Sequence, residues 1–129
     1  FPIRSNAMFS TIKRWLPAVR AHSRKRIIIC GSDSAHYGLL QRLRSHCDVL
    51  ALVTTEPWQH NIRLDDVPLR YPSEVPSLYR RLSIDCLVIA TEDDRLEIER
   101  ATADDARWQP QWRVGESLLE ELGARERQR

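Results

Sequence analysis

The sequence predicts an α/β protein: a Rossmann-like three-layer fold with a parallel sheet of about 4-5 strands in the order 3-2-1-4-5. Three observations predict it. Short apolar runs such as "RIIICG", "DVLALVTT" and "DCLVIAT" show no polar alternation, as strands buried on both faces require. The segments between them repeat apolar residues at helical spacing. A chain of 129 residues suits one core.

The elements follow in chain order. Ser5-Asn6-Ala7 before Met8 read as a cloning remnant, so residues 1–7 are set aside and Met8 is taken as the native start. Residues 8–25 form a basic amphipathic arm: Phe9, Ile12, Leu16 and Val19 share one helical face, and Pro17 kinks or ends that helix. The Rossmann-like domain spans residues 26–123. Its first strand is Arg26 to Gly31. Ala35, Leu39, Leu40 and Leu43 then mark a helix face, with Ser32 or Ser34 as its cap. Asp48 to Thr55 is the second strand, and "EPWQHNIRLDD" is a loop. "VPLRY" is a short third strand. The next helix has Ser73 as cap and turns Val75, Leu78, Tyr79 and Leu82 inward. Asp85 to Thr91 is the fourth strand, followed by a helix to about Ala106 whose first-turn acids suit the helix dipole. Gln111 to Val114 is a fifth strand. A final helix closes at Gly123, leaving residues 124–129 as a frayed tail.

Charge divides the chain. Seven basic residues and no acidic one lie between Arg4 and Arg26; the remainder holds thirteen basic against all eighteen acidic residues, a net of −5. An acidic body argues against a nucleic-acid partner. The arm suits packing on that body, within one chain or across a homodimer, or contact with a membrane surface. No run reaches the ~18 apolar residues of a membrane span. The N-terminus lacks the apolar stretch of a signal peptide, and three widely spaced cysteines (Cys30, Cys47, Cys86) read as buried reduced thiols. Together these predict a cytoplasmic protein. The only lysines, Lys13 and Lys25, lie in the arm, so the body has no Walker lysine, Schiff-base lysine or Tyr-x-x-x-Lys pair.

The stretch "IIICGSDSAHYG" carries the candidate site. Gly31 makes the tight turn after the first strand, Ser32 and Ser34 offer hydroxyls, and the helix that follows offers free N–H groups. Thr54 and Thr91 stand at the ends of the second and fourth strands, at the carboxyl edge where open sheets bind ligands. His36 lies in the first helical turn, as a phosphate partner or as a partly exposed idle residue. Asp33, Ser34 and His36 lack the elbow of a hydrolytic triad. The histidines and Asp33 match no metal-ligand spacing. Trp58, Trp108 and Trp112 could stack a base, while the last two also suit sealing the sheet edge.

The succession "RIIICGSDSAHYGLLQRLR", "DVLALVTTEP" and "DVPLRYPSEVPSLYRRLSIDCLVIATED" resembles the Rossmann-like domain that precedes the catalytic part of nucleoside-diphosphate-sugar epimerases and dehydratases of polysaccharide synthesis, a domain also described as CoA-binding-like. The resemblance covers residues 26–106. It implies a ligand such as NAD(P), a CoA-like nucleotide or a nucleotide sugar, held by Gly31, Ser32, Asp33, Ser34, His36, Thr54 and Thr91. Three departures weaken that grip. Asp33 stands where a second glycine lets backbone approach a pyrophosphate, and His36 where a third allows close helix–strand contact. The acid that would hold a ribose is also missing beside Thr54 and Thr55. The expected function is a non-catalytic domain that binds a nucleotide-type ligand weakly or acts as a regulatory or interaction module. The alternatives are the nucleotide-binding part of a sugar-nucleotide epimerase or dehydratase, and an oligomerisation module without ligand.

Overall fold

The computed structural model describes residues 24–127. The strands are β1 (Lys25–Ile29), β2 (Cys47–Val53), β3 (Arg63–Leu64), β4 (Val67–Arg70), β5 (Cys86–Ile89) and β6 (Trp112–Val114). The helices are α1 (Ser34–Leu43), α2 (Val75–Arg81), α3 (Glu92–Ala101) and α4 (Gly115–Arg127). One six-stranded sheet runs in the order β3-β4-β2-β1-β5-β6, parallel except for the β3–β4 pair.

Side-chain alternation along β1 builds both layers at once. Ile27 and Ile29 meet Leu39, Leu40 and Leu43 of α1 and Leu118 of α4 on one face. Ile28 and Cys30 meet Val75 and Leu78 of α2 and Ile98 of α3 on the other. The run Ile27 to Cys30 is therefore apolar at every position, which is why it shows no alternation. At Gly115 a Cβ would lie 2.6 Å from Leu39 Cδ2, so the bare backbone lets α4 begin hard against α1. At the far edge, Tyr79 meets Trp108 edge-on at 5.0 Å, and its hydroxyl accepts the Gln111 N–H. Trp108 and Trp112 thus seal that end of the sheet against the second layer.

Leaving β3 aside, the strand order is the expected one. The sixth strand is new, and it lies inside the stretch expected as a loop. Leu64 pairs with Val67 across Asp65 and Asp66, whose φ values are 52 and 69. Two successive left-handed residues make the hairpin turn that matches sheet twist, and aspartate enters that region more readily than most residues. The Asp65 carboxylate accepts from the Tyr37 hydroxyl (2.9 Å) and the Gln41 amide (2.6 Å), which ties the hairpin to α1.

Several boundaries move for local reasons. Lys25 opens β1, and Arg24 joins the body because its guanidinium donates to the Cys47 carbonyl (2.7 Å) and pairs with Asp48 (3.4 Å). Asp33 caps α1, in place of Ser32 or Ser34, and His36 takes the buried position expected for Ala35, which is exposed. The chain enters α2 through a 3-10 turn, Pro72–Glu74, in which the Glu74 carboxylate, and not Ser73, accepts the Tyr71 N–H (2.8 Å). Helix α3 stops at Ala101, where the Thr102 hydroxyl donates to the Ile98 carbonyl (2.8 Å). Helix α4 passes through Gly123 to Arg127. The Glu121–Arg125 pair (3.2 Å) and the His46–Glu126 contact (3.0 Å) hold its last turns. The cloning remnant, the amphipathic helix of the arm, its packing or membrane contact, and the last two tail residues lie outside the described residues.

Helix α4 is part of the core through Leu118, which is fully buried. Leu118→Ala should lower stability by about 2–5 kcal/mol in chemical denaturation, with the slope unchanged. A loss within about 0.5 kcal/mol would make α4 an appendage.

Candidate functional site: the crevice at the carboxyl ends of β1, β2 and β5

The chain leaves β1 toward one face and β5 toward the other, so the turns diverge and open a crevice between them. Its volume is about 320 Å³. Cys30, Gly31, Ser32, Asp33 and His36 line it from the β1 side, Val53 to Glu56 and Gln59 from the β2 side, and Asp94, Glu97 and Ile98 from α3. Four carboxylates (Asp33, Glu56, Asp94, Glu97) border it, with His36 and no arginine or lysine. A larger hollow, about 610 Å³, lies between α2 and the end of α3 and contains none of the expected site residues.

The centre of the crevice is a chain of three side chains. Asp33 Oδ1 accepts from the N–H groups of Ala35 (3.0 Å) and His36 (3.2 Å), which are the free donors at the start of α1. The same oxygen lies 2.7 Å from His36 Nδ1. The Asp33 N–H also approaches Nδ1, at 3.3 Å; the shorter contact, to the charged oxygen, is the stronger. On the other side, His36 Nε2 lies 2.8 Å from Asp94 Oδ2. That oxygen also accepts the N–H groups of Ala90 (2.8 Å) and Thr91 (3.2 Å). Partial burial works against the Asp33 charge. The His36 N–H, the His36 ring and the Ala35 N–H outweigh it and hold Asp33 below the usual carboxylate range.

Gly31 and His36 fit together. Gly31 has φ 156, and a Cβ built there would lie 2.1 Å from imidazole atoms. In a dinucleotide loop the first glycine makes the tight turn after the strand. Here the imidazole packs directly over it.

The expected hydroxyls are also engaged. Gln59, in the 3-10 turn Pro57–Gln59, roofs the crevice: its Oε1 accepts from Thr54 Oγ1 (2.5 Å) and Ser32 Oγ (3.2 Å). Thr54 Oγ1 in turn accepts the Glu56 N–H (3.1 Å). Ser34 and Thr91 are exposed helix-start residues and do not line the crevice. His36 is 5 % exposed, which corrects the expectation of a partly exposed histidine. Trp58 stands in the roof turn and is 69 % exposed. The sequence places Asp94 only among the capping acids of "TEDD", Thr91 to Asp94, at this edge, and does not single out Gln59. The Thr91-x-x-Asp94 spacing signals a capping box, but nothing in it points to His36. At the crevice floor, burial, reinforced by Asp94 and Cys86, pushes the Cys30 thiol far above its ordinary range.

No protein-family model matches the sequence, and no curated protein matches it. Solved structures do share its fold. A UDP-D-quinovosamine 4-dehydrogenase from Vibrio fischeri superposes with a TM-score of 0.58 at 15% identity, over 71% of this chain and 78% of that one. RSP, a Rex-family repressor, superposes with a TM-score of 0.53 at 12% identity, over 74% of this chain and 47% of that one. RSP in complex with beta-NADH gives 0.50 at 13% identity, over 71% and 48%. At these identities the likeness is one of fold, and the fold is Rossmann-like.

Proposed function

We propose that the chain is a non-catalytic, cytoplasmic Rossmann-like module that binds a nucleotide-type ligand weakly in this crevice and serves a regulatory or interaction role. One observation carries the reading: the N–H groups that would grip a ligand's phosphates at the starts of α1 and α3 already hold the carboxylates of Asp33 and Asp94. A pyrophosphate entering here meets four acids, and at ~4 Å each costs about 1 kcal/mol in water and several at a shielded site. The crevice therefore favours the neutral part of a nucleotide over its diphosphate. The NADH bound to RSP supports a nucleotide as the ligand class. The absence of lysine after Lys25 and the engagement of Asp33 and Asp94 as caps support the absence of catalysis. A second reading, the nucleotide-binding part of a sugar-nucleotide enzyme, draws support from the likeness to the quinovosamine dehydrogenase.

Calorimetric titration with NAD, CoA, a UDP-sugar and adenosine tests the reading. Affinities in the millimolar range are expected, with NAD no tighter than adenosine. Low-micromolar NAD binding would overturn the self-filled site; no binding of any probe would leave oligomerisation as the module's role. Asp33→Gly costs only a few tenths of a kcal/mol as a cap, yet it frees both N–H donors. NAD should then bind about tenfold tighter, the equivalent of one relieved repulsion. Gly31→Val should abolish binding, since a side chain there collides with His36.

Acid stability gives a second check. Because folding lowers the pKa of Asp33, its contribution is present above the unfolded value and is lost as pH falls through the folded one. Below about pH 4, melting temperature should fall more steeply in the unaltered chain than in Asp33→Asn. Parallel curves would show that Asp33 is not held charged by its cap.

A further inference from the structure

The body's excess of acid is not spread over it. Residues 92–105, which form α3 and the segment after it, hold seven acidic residues and two arginines. Elsewhere after Arg26 the charges balance, eleven basic against eleven acidic. Within the acidic stretch Asp94 is turned onto His36, and Glu92 and Glu99 flank Arg95 at 3.9 and 3.2 Å. Arg95 is thereby matched, and the surplus of carboxylates stays on this flank of the molecule.

The surface beside α3 is hollow. A groove of about 390 Å³ runs between α3, the segment 102–110 and β6. Arg95, Glu99 and Asp105 line it together with Trp108, Pro110 and Trp112. Both indoles are only half-buried, and β6 is an end strand of the sheet, so no further strand covers this side among the described residues. The Arg95 guanidinium stands over the Trp112 ring, 5.3 Å from its centroid, so the ring already accepts a cation. Open indoles beside surplus carboxylates suit a partner that is both apolar and basic.

The chain carries such a segment. Residues 8–23 contain Phe9, Ile12, Trp15, Leu16 and Val19, the basic residues Lys13, Arg14 and Arg20, and no acidic residue. They join the body at Arg24, beside Lys25 at the amino edge of β1. Ile28 is level with Leu87, and Leu87 with Trp112. Trp112 therefore lies two strands across and four residues along from Arg24, roughly 16 Å at ~4.8 Å per strand and ~3.3 Å per residue. Sixteen residues span about 24 Å even when wound as a helix. The groove is thus within reach of the same chain.

We propose that this groove is the seat of residues 8–23 of the same chain, with their apolar side chains against Trp108 and Trp112 and their basic ones facing the acids of residues 92–105. The groove is separate from the crevice, and the proposal does not rest on the nucleotide reading.

The test uses the full chain with a nitroxide attached through Ser10→Cys, the three native thiols being buried. Indole N–H signals are followed by 15N NMR. Those of Trp108 and Trp112 should broaden, while that of Trp58, in the roof of the crevice, stays sharp. Reversing the arm's charge with Lys13→Glu and Arg14→Glu leaves the body untouched and should reduce the broadening at least threefold. Glu99→Lys, on the exposed side of α3, should reduce it as well. Sharp Trp108 and Trp112 signals overturn the proposal. So does broadening that is equal at Trp58, or that survives the charge reversal undiminished. A mixture of isotope-labelled chains without nitroxide and nitroxide-bearing chains without isotope should show no broadening; broadening of Trp108 and Trp112 there places a second copy's arm in the groove and overturns the same-chain seat.

Discussion

The contact between His36 Nε2 and Asp94 Oδ2 joins the two turns at the centre of the sheet. One turn follows β1 and departs toward α1; the other follows β5 and departs toward α3. Without a link they would flank an open slot. The imidazole side chain is only 6 % exposed and that of Asp94 only 15 %, so water replaces this contact poorly. Such charge-assisted bonds contribute about 1.5–3 kcal/mol. Gly31, the caps of both helices and the acidic border of the crevice are gathered around this bridge. A feature that would weaken a dinucleotide site therefore serves to hold the two halves of the sheet's upper edge together.

Much of the fold was legible because the physics is local. The isoleucines of β1 face both layers, so the continuous apolar run identified a central strand directly. The strand order followed from connection rules once the alternation of strands and helices was seen. Two features escaped. The hairpin between β3 and β4 turns on Asp65-Asp66 without the glycine that usually marks such a turn. Gly123 looked like a helix stop, yet it is an interior residue of α4. A glycine there weakens a helix by roughly 0.5–1 kcal/mol relative to alanine, yet the Glu121–Arg125 pair and the His46–Glu126 contact lie on either side of it in one continuous helix.

The site was legible in outline only. That Asp33 and His36 occupy glycine positions could be read from the sequence, and so could the consequence that a pyrophosphate is poorly served. What could not be read is where the imidazole goes. Its partner, Asp94, lies 58 residues away, and only the packing of β1 beside β5 brings them together. The same holds for Gln59, whose amide oxygen gathers two hydroxyls from different turns. Glu74 likewise meets both the His60 ring, 14 residues back, and the Tyr71 N–H. Competition among neighbours for one acceptor is a property of three dimensions.

The three free, buried thiols make the protein its own strain gauge. Cys47 and Cys86 begin β2 and β5, at the amino edge of the sheet, while Cys30 follows β1 at the opposite edge, beneath His36. Burial raises the pKa of all three, that of Cys86 to about 11, so an alkylating reagent meets few thiolates while the sheet is closed. Labelling then requires local opening, and which sulfur reacts first says which edge of the sheet breathes. Faster labelling of Cys30 alone marks opening of the crevice, whereas joint labelling of Cys47 and Cys86 marks loosening at the base, where the chain enters β1.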